Sequence, residues 1–154
     1  MYNSVLSPSC ALINQVARQV FDILPEGGLI MIIVDTEGRL WASDPEEFSK
    51  LSIGESFLRE LCAKVDDGAE PVITQAKDAS MTAAQLVTER SNCGYVIIAL
   101  PQYTPESTLI NINLIETLLR QTALIAELIE KNSLLHELQM KLYSAYGKSK
   151  PPSN

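Results

Sequence analysis

Residues 29–43 read LIMIIVDTEGRLWAS: six apolar residues, an acidic tetrapeptide ending in glycine, and a short mixed run. Leu29 to Val34 is apolar at every position, rich in β-branched residues, and preceded by Pro25-Glu26-Gly27-Gly28. So short a run between such breakers reads as a strand covered on both faces. Arg39 to Ser43 returns as a second strand, which puts Asp35 to Gly38 at a hairpin. Aspartate first and glycine fourth suit a type I turn, because the carboxylate accepts from backbone amides and glycine takes a positive φ. Asp-x-x-Gly also serves nucleotide phosphates, but that reading needs a companion G-x-x-x-x-G-K-[ST] loop, which the sequence lacks.

Upstream, Ser7-Pro8-Ser9 offers a helix cap, and Ile13, Val16, Val20 and Ile23/Leu24 follow at three- and four-residue steps. An amphipathic helix over 9–24 is expected. Downstream, Phe57, Leu58, Leu61, Cys62 and Val65 predict a short helix over 56–65, closed by Asp66-Asp67-Gly68. Pro71 to Ala76 reads as a short strand and Met81 to Glu89 as a longer one. Arg90 to Gly94 reads as a turn, and Tyr95 to Leu100 as a second fully apolar strand. Two central strands with both faces covered require helices on one side and a helix or folded loop on the other.

The last element is long. Thr104-Pro105-Glu106 combines a cap, a first-turn proline and an acid at the positive end of the dipole, and no proline or glycine follows until Gly147. A continuous helix of that span would be on the order of 60 Å long, more than a domain of this size is wide, so part of it must project. Its apolar face is wide from Ile112 to Ile129 and narrows after Asn132 to Leu135, Leu138, Leu142 and Tyr146, close to coiled-coil spacing. The expected division is a domain over 1–130, a projecting helix over 131–147 and a flexible tail or linker over 148–154.

Composition narrows the function classes. The 154 residues are 46% hydrophobic, enough for one real core. The apolar runs are far shorter than the roughly 20 residues of a membrane-spanning helix, and MYNSVLSPSC does not have the layout of a signal peptide. A cytoplasmic protein without membrane contact is expected. Net charge is −7, and residues 22–70 carry twelve acids against four bases, which argues against direct nucleic-acid binding. Cys10, Cys62 and Cys93 are odd in number and far apart, so neither a disulfide framework nor a zinc site is expected. Cys62 falls on an apolar helix face and Cys93 in a turn, so Cys93 alone should react quickly with a thiol reagent.

The order is helix, strand, tight turn, strand, helix, three strands, long helix. It implies an α+β fold with an antiparallel sheet of about five strands in the order 2-1-5-4-3, and N-terminal and long C-terminal helices on one face. This resembles the GAF, PAS and roadblock group of small sensor and scaffold domains. IIVDTEGRLWASD, the terminal helices, and GYVIIALP running into a long helix are most similar to a GAF domain over about residues 9–130. The resemblance implies a ligand-responsive module, often dimeric, that signals through its terminal helices to an effector. It places the pocket on the sheet face opposite those helices, under Asp44 to Ser80, a segment short for the family, so a reduced or occluded pocket is one reading. The cyclic-nucleotide motif N-K-x-n-F-x-D-E is absent, and that ligand is not carried over.

Two functions stand side by side. One is a non-catalytic sensor holding a small, largely apolar or aromatic molecule near Trp41, Phe48, Phe57, Leu58, Met81 and Tyr95. The other is a roadblock-like dimeric scaffold that binds a protein partner and no ligand. Trp41 reads equally as simple packing. Glu46-Glu47 and Asp66-Asp67 read as solvated edges rather than catalytic pairs, and His136 as a rim residue rather than a metal ligand. Serine hydrolysis lacks G-x-S-x-G, and the clustered cysteines of GAF-fold methionine sulfoxide reductases are missing, so neither enzyme activity nor a cofactor is expected. Either function expects a parallel homodimer along the last helix, with Leu118, Ile125, Leu128, Asn132, Leu135 and Leu142 at the interface. An Asn132 facing its twin would fix the register.

Overall fold

A computed structural model of the chain describes residues 8–24, 28–68 and 71–149. The expected cap Ser7, the breaker at 25–27, the side chain of Cys10 and the tail from Lys150 lie outside the described residues. The elements are α1 (Pro8–Ile23), β1 (Ile30–Val34), β2 (Leu40–Ala42), α2 (Pro45–Lys50), α3 (Glu55–Asp66), β3 (Val72–Ala76), β4 (Ala79–Val87), β5 (Asn92–Pro101), α4 (Pro105–Ile110) and α5 (Ile112–Ser149). The strands form an antiparallel sheet in the order β2-β1-β5-β4-β3, as the sequence pattern requires.

The register sorts side chains into two cores, because neighbours along a strand face opposite ways. Met31, Ile33, Ala84, Leu86, Val96 and Ile98 meet Ile13, Val16 and Val20 of α1 and Ile115, Leu119, Ala126 and Ile129 of α5. Ile30, Ile32, Met81, Ala83, Ile97 and Ala99 meet Leu58, Leu61 and Val65 of α3. All five residues of β1 are buried, which is why the strand carries no polar alternation.

The hairpin turn consumes its own acid. Gly38 N donates to Asp35 O at 3.1 Å. Glu37 N and Arg39 N donate to Asp35 Oδ1 at 2.9 and 2.8 Å, and Arg39 Nε donates to Oδ2 at 2.8 Å. Gly38 takes φ +85°, the conformation glycine adopts without strain. Asp35 is buried, and its carboxylate is engaged in holding the hairpin rather than offered to a phosphate.

Three expectations change. The final helix is not continuous from Thr104: it breaks at Asn111 into α4 and α5, without proline or glycine. Side chains there compete for the backbone: Thr108 Oγ1 donates to Thr104 O at 2.9 Å and Asn111 Nδ2 to Ser107 O at 3.1 Å. Thr108 is also tied to Ser80 of β4 at 2.6 Å, fixing α4 on the sheet while α5 leaves at its own angle. Residues 44–50, which the expected order leaves without an element, form a helix: Asp44 accepts from Glu47 N at 3.1 Å and Pro45 opens α2, with Glu46 and Glu47 in its first turn. Cys93 is not in a turn but in β5, 1% exposed. The glycine that suggested a turn, Gly94 with φ +116°, instead lets β5 approach β1 so closely that a Cβ would overlap Val34 O.

Candidate functional site

Of the six residues expected around a ligand, the sheet separates one from the rest. Trp41 lies opposite Ile33 and packs on the α1/α5 side, whereas Leu58, Met81, Phe48, Phe57 and Tyr95 belong to the α3 side. Met81 is fully buried in the α3-side core. The six do not enclose one site.

What the α3 side does present is a cleft of about 510 Å³ between the β1–β2 turn and α3. Leu58 and Tyr95 line it, joined by Val34, Leu40, Glu55 and Arg59, residues that carried no sequence signal for a site. Its floor is organised by Asp66: Tyr95 Oη donates to Oδ2 at 2.6 Å and Gln85 Nε2 to Oδ1 at 3.3 Å. Burial, then the hydrogen bond to Asp66, pushes the Tyr95 hydroxyl well above its ordinary range, so it stays a donor at neutral pH. The wall is mixed, apolar at Val34, Leu40 and Leu58 and acidic at Glu55 and Asp66.

Cys62 also lines this cleft, but burial, with Asp66 nearby, raises its thiol to about 11. Cys93 is raised to about 11 as well, by burial first and then by Glu130 and Glu127. Both are protonated at neutral pH, and neither is a ready nucleophile. Among the described residues no group of three or more His, Cys, Asp or Glu could hold a metal ion, and His136 is exposed on α5. No described helix is long and apolar enough to cross a membrane.

The second surface is on α5, a helix of 38 residues and about 57 Å. Leu124, Leu128, Leu135, Leu138 and Leu142 are 55–69% exposed along one stripe. Leu128, Leu135 and Leu142, seven apart, form its midline. Of the expected interface residues, Leu118 and Ile125 are half-buried and pack on their own core, so the stripe turns toward Leu124 and Leu138. Asn132 is exposed at its flank. At the point where α5 leaves the domain, Thr88 and Ser91 of the β4–β5 turn donate to Glu130 Oε2 at 2.8 and 2.7 Å, and Glu89 N donates to Glu127 Oε2 at 3.0 Å.

No family model matches the chain, and no curated protein matches it. Among solved structures it is similar to the GAF domain/HD domain protein from Geobacter sulfurreducens, with 16% identity over 82% of this chain and 97% of that one and a TM-score of 0.35.

Proposed function

We infer that the chain is a non-catalytic, cytoplasmic regulatory domain that pairs with a second copy along α5 and passes changes in the domain through that helix to an effector. The observation that carries this reading is the leucine stripe. A leucine moved fully out of water contributes roughly 1.5 to 3 kcal/mol, so five per chain can outweigh an association cost of about 4 to 15 kcal/mol. Its midline repeats every seven residues, the spacing of a left-handed two-helix seam. The helix reaches this seam directly from the core, which makes it a rigid connection between domain and partner.

Pairing in parallel brings both C-terminal ends together. Cysteine cross-linking tests this, with Leu142→Cys in a Cys10→Ser background. A parallel dimer gives a disulfide between the two copies of residue 142 under mild oxidation. An antiparallel dimer does not, and instead cross-links when Leu142→Cys and Leu124→Cys chains are mixed.

The sensor and scaffold forms of this reading differ in whether a ligand is needed. The buried apolar clusters on both sheet faces are compatible with a scaffold, while the cleft between the hairpin and α3 favours a small, partly apolar ligand resting against Leu58 and Tyr95. Binding of such a compound that is lost in Leu58→Glu would decide for the sensor.

A further inference from the structure

The sheet side of the hairpin cleft is a single row of residues across the strands. Leu40 is paired with Val34, Val34 with Tyr95 and Tyr95 with Gln85, and side chains directly opposite one another share a face. At a strand spacing of about 4.8 Å, the stretch from Leu40 to Tyr95 covers about 10 Å. The row is graded. It is apolar at Leu40 and Val34 and ends at Tyr95, whose hydroxyl reaches Asp66, the last residue of α3. Leu58, Cys62 and Ala63 of α3 complete the apolar part of the lining.

Asp66 is exposed and lines the cleft, so its carboxylate is within reach of a molecule there. Each oxygen accepts one hydrogen bond from the sheet, Oδ2 from Tyr95 Oη at 2.6 Å and Oδ1 from Gln85 Nε2 at 3.3 Å, and each keeps a second lone pair for another donor. These bonds orient the carboxylate before any ligand arrives, which lowers the ordering cost of binding. The lining is net negative: Asp35 and Glu37 share one cation, Arg39, and Glu55 stands one helical turn from Arg59. Asp66 makes no ion pair among the described residues. It also closes α3, where the helix dipole is negative, and both charges favour a cation at this end.

On the reading that the hairpin cleft takes a small ligand, we propose that the ligand is a primary ammonium compound with an apolar or aromatic body. Its nitrogen donates to Asp66, and its body lies along Val34 and Leu40. A row of about 10 Å accommodates a phenyl ring on a short carbon chain. Tyr95 is a positioning residue here, holding the Asp66 carboxylate at the charged end of the row.

The test is titration calorimetry with three probes of nearly the same shape: phenethylamine, phenethyl alcohol and hydrocinnamate. The expected result is saturable millimolar binding of the amine, at least about tenfold tighter than the alcohol, with the anion weakest. Asp66→Asn removes that preference while keeping an acceptor for Tyr95, and Tyr95→Phe weakens it several-fold. Leu40→Ser, at the 39% exposed end of the row, weakens amine and alcohol alike. Glu137→Gln, on α5, changes nothing. Equal affinity for amine and alcohol, both weakened by Leu40→Ser, would leave the small-ligand reading of the cleft standing and overturn the ammonium assignment. Tightest binding of the anion, or a preference for the amine that survives Asp66→Asn, would overturn the assignment as well. Absence of saturable binding of all three probes would overturn both.

Discussion

Between Ile112 and Leu134, α5 turns one face, with Ile115, Leu119, Ala126 and Ile129, onto the sheet and α1; from Leu135 to Tyr146 every side chain is exposed. Composition does not separate the two stretches, since both are rich in leucine. What separates them is the length of the sheet. The first stretch has something to lie on, and the β4–β5 turn marks where that support ends. Beyond it, the same apolar spacing faces water, and the leucines require a surface from elsewhere.

The contrast can be broken most directly by cutting equivalent side chains on either side of that boundary. Ile129→Ala should lower unfolding free energy by about 2 to 5 kcal/mol, the usual cost of a buried cavity. Leu135→Ala should change it by no more than about 0.5 kcal/mol when measured by urea unfolding at dilutions where the chain is monomeric. Comparable losses at both positions would mean that the second stretch docks on its own domain after all.

A smaller effect is expected at the boundary. Ser91→Ala removes a donor from Glu130 and should cost about 1.5 to 3 kcal/mol, the range for a hydrogen bond to a charged group. Amide exchange should speed up in residues 127–134 and leave 112–122 unaffected. Uniform loosening of the whole helix would show that the turn is not what holds this end.

A further effect is in alkali. Cys93, beside the docked stretch, and Cys62, beside the hairpin cleft, both have folded thiols near 11 against an ordinary 9.0. A raised folded pKa favours the protonated native state, so this contribution is complete below about pH 9 and disappears as pH rises through about 11. Native-state labelling of Cys62 and Cys93 should therefore be slow at neutral pH for both. Rapid labelling of Cys93 in folded protein would contradict the buried position given to it.

The sheet was readable because its two central strands are continuous apolar runs, and the Asp35 turn because aspartate and glycine stand at the positions such a turn needs. α2 went unseen because six residues show no periodicity, although Asp44-Pro45-Glu46 repeats the start pattern recognised at Thr104-Pro105-Glu106. The break at Asn111 was hidden because it comes from side chains competing for backbone groups rather than from glycine or proline. Gly94 misled because close approach of two strands and a turn demand the same residue. The hairpin cleft was illegible for a different reason: Glu55 and Tyr95 come together only through tertiary packing. The sequence placed Trp41 with the other aromatic residues, but β2 is three residues long, and the pairing of Trp41 with Ile33 decides its face.

Sedimentation velocity of the wild type beside Leu135→Glu tests the pairing of α5 most directly. Position 135 lies on the midline of the stripe and outside the core, unlike Ile125, whose replacement would disturb the domain itself. Pairing along α5 predicts a dimer for the wild type at tens of micromolar and a folded monomer, with unchanged sheet content by circular dichroism, for Leu135→Glu. A wild-type monomer at that concentration, or a Leu135→Glu chain that stays dimeric, would contradict it.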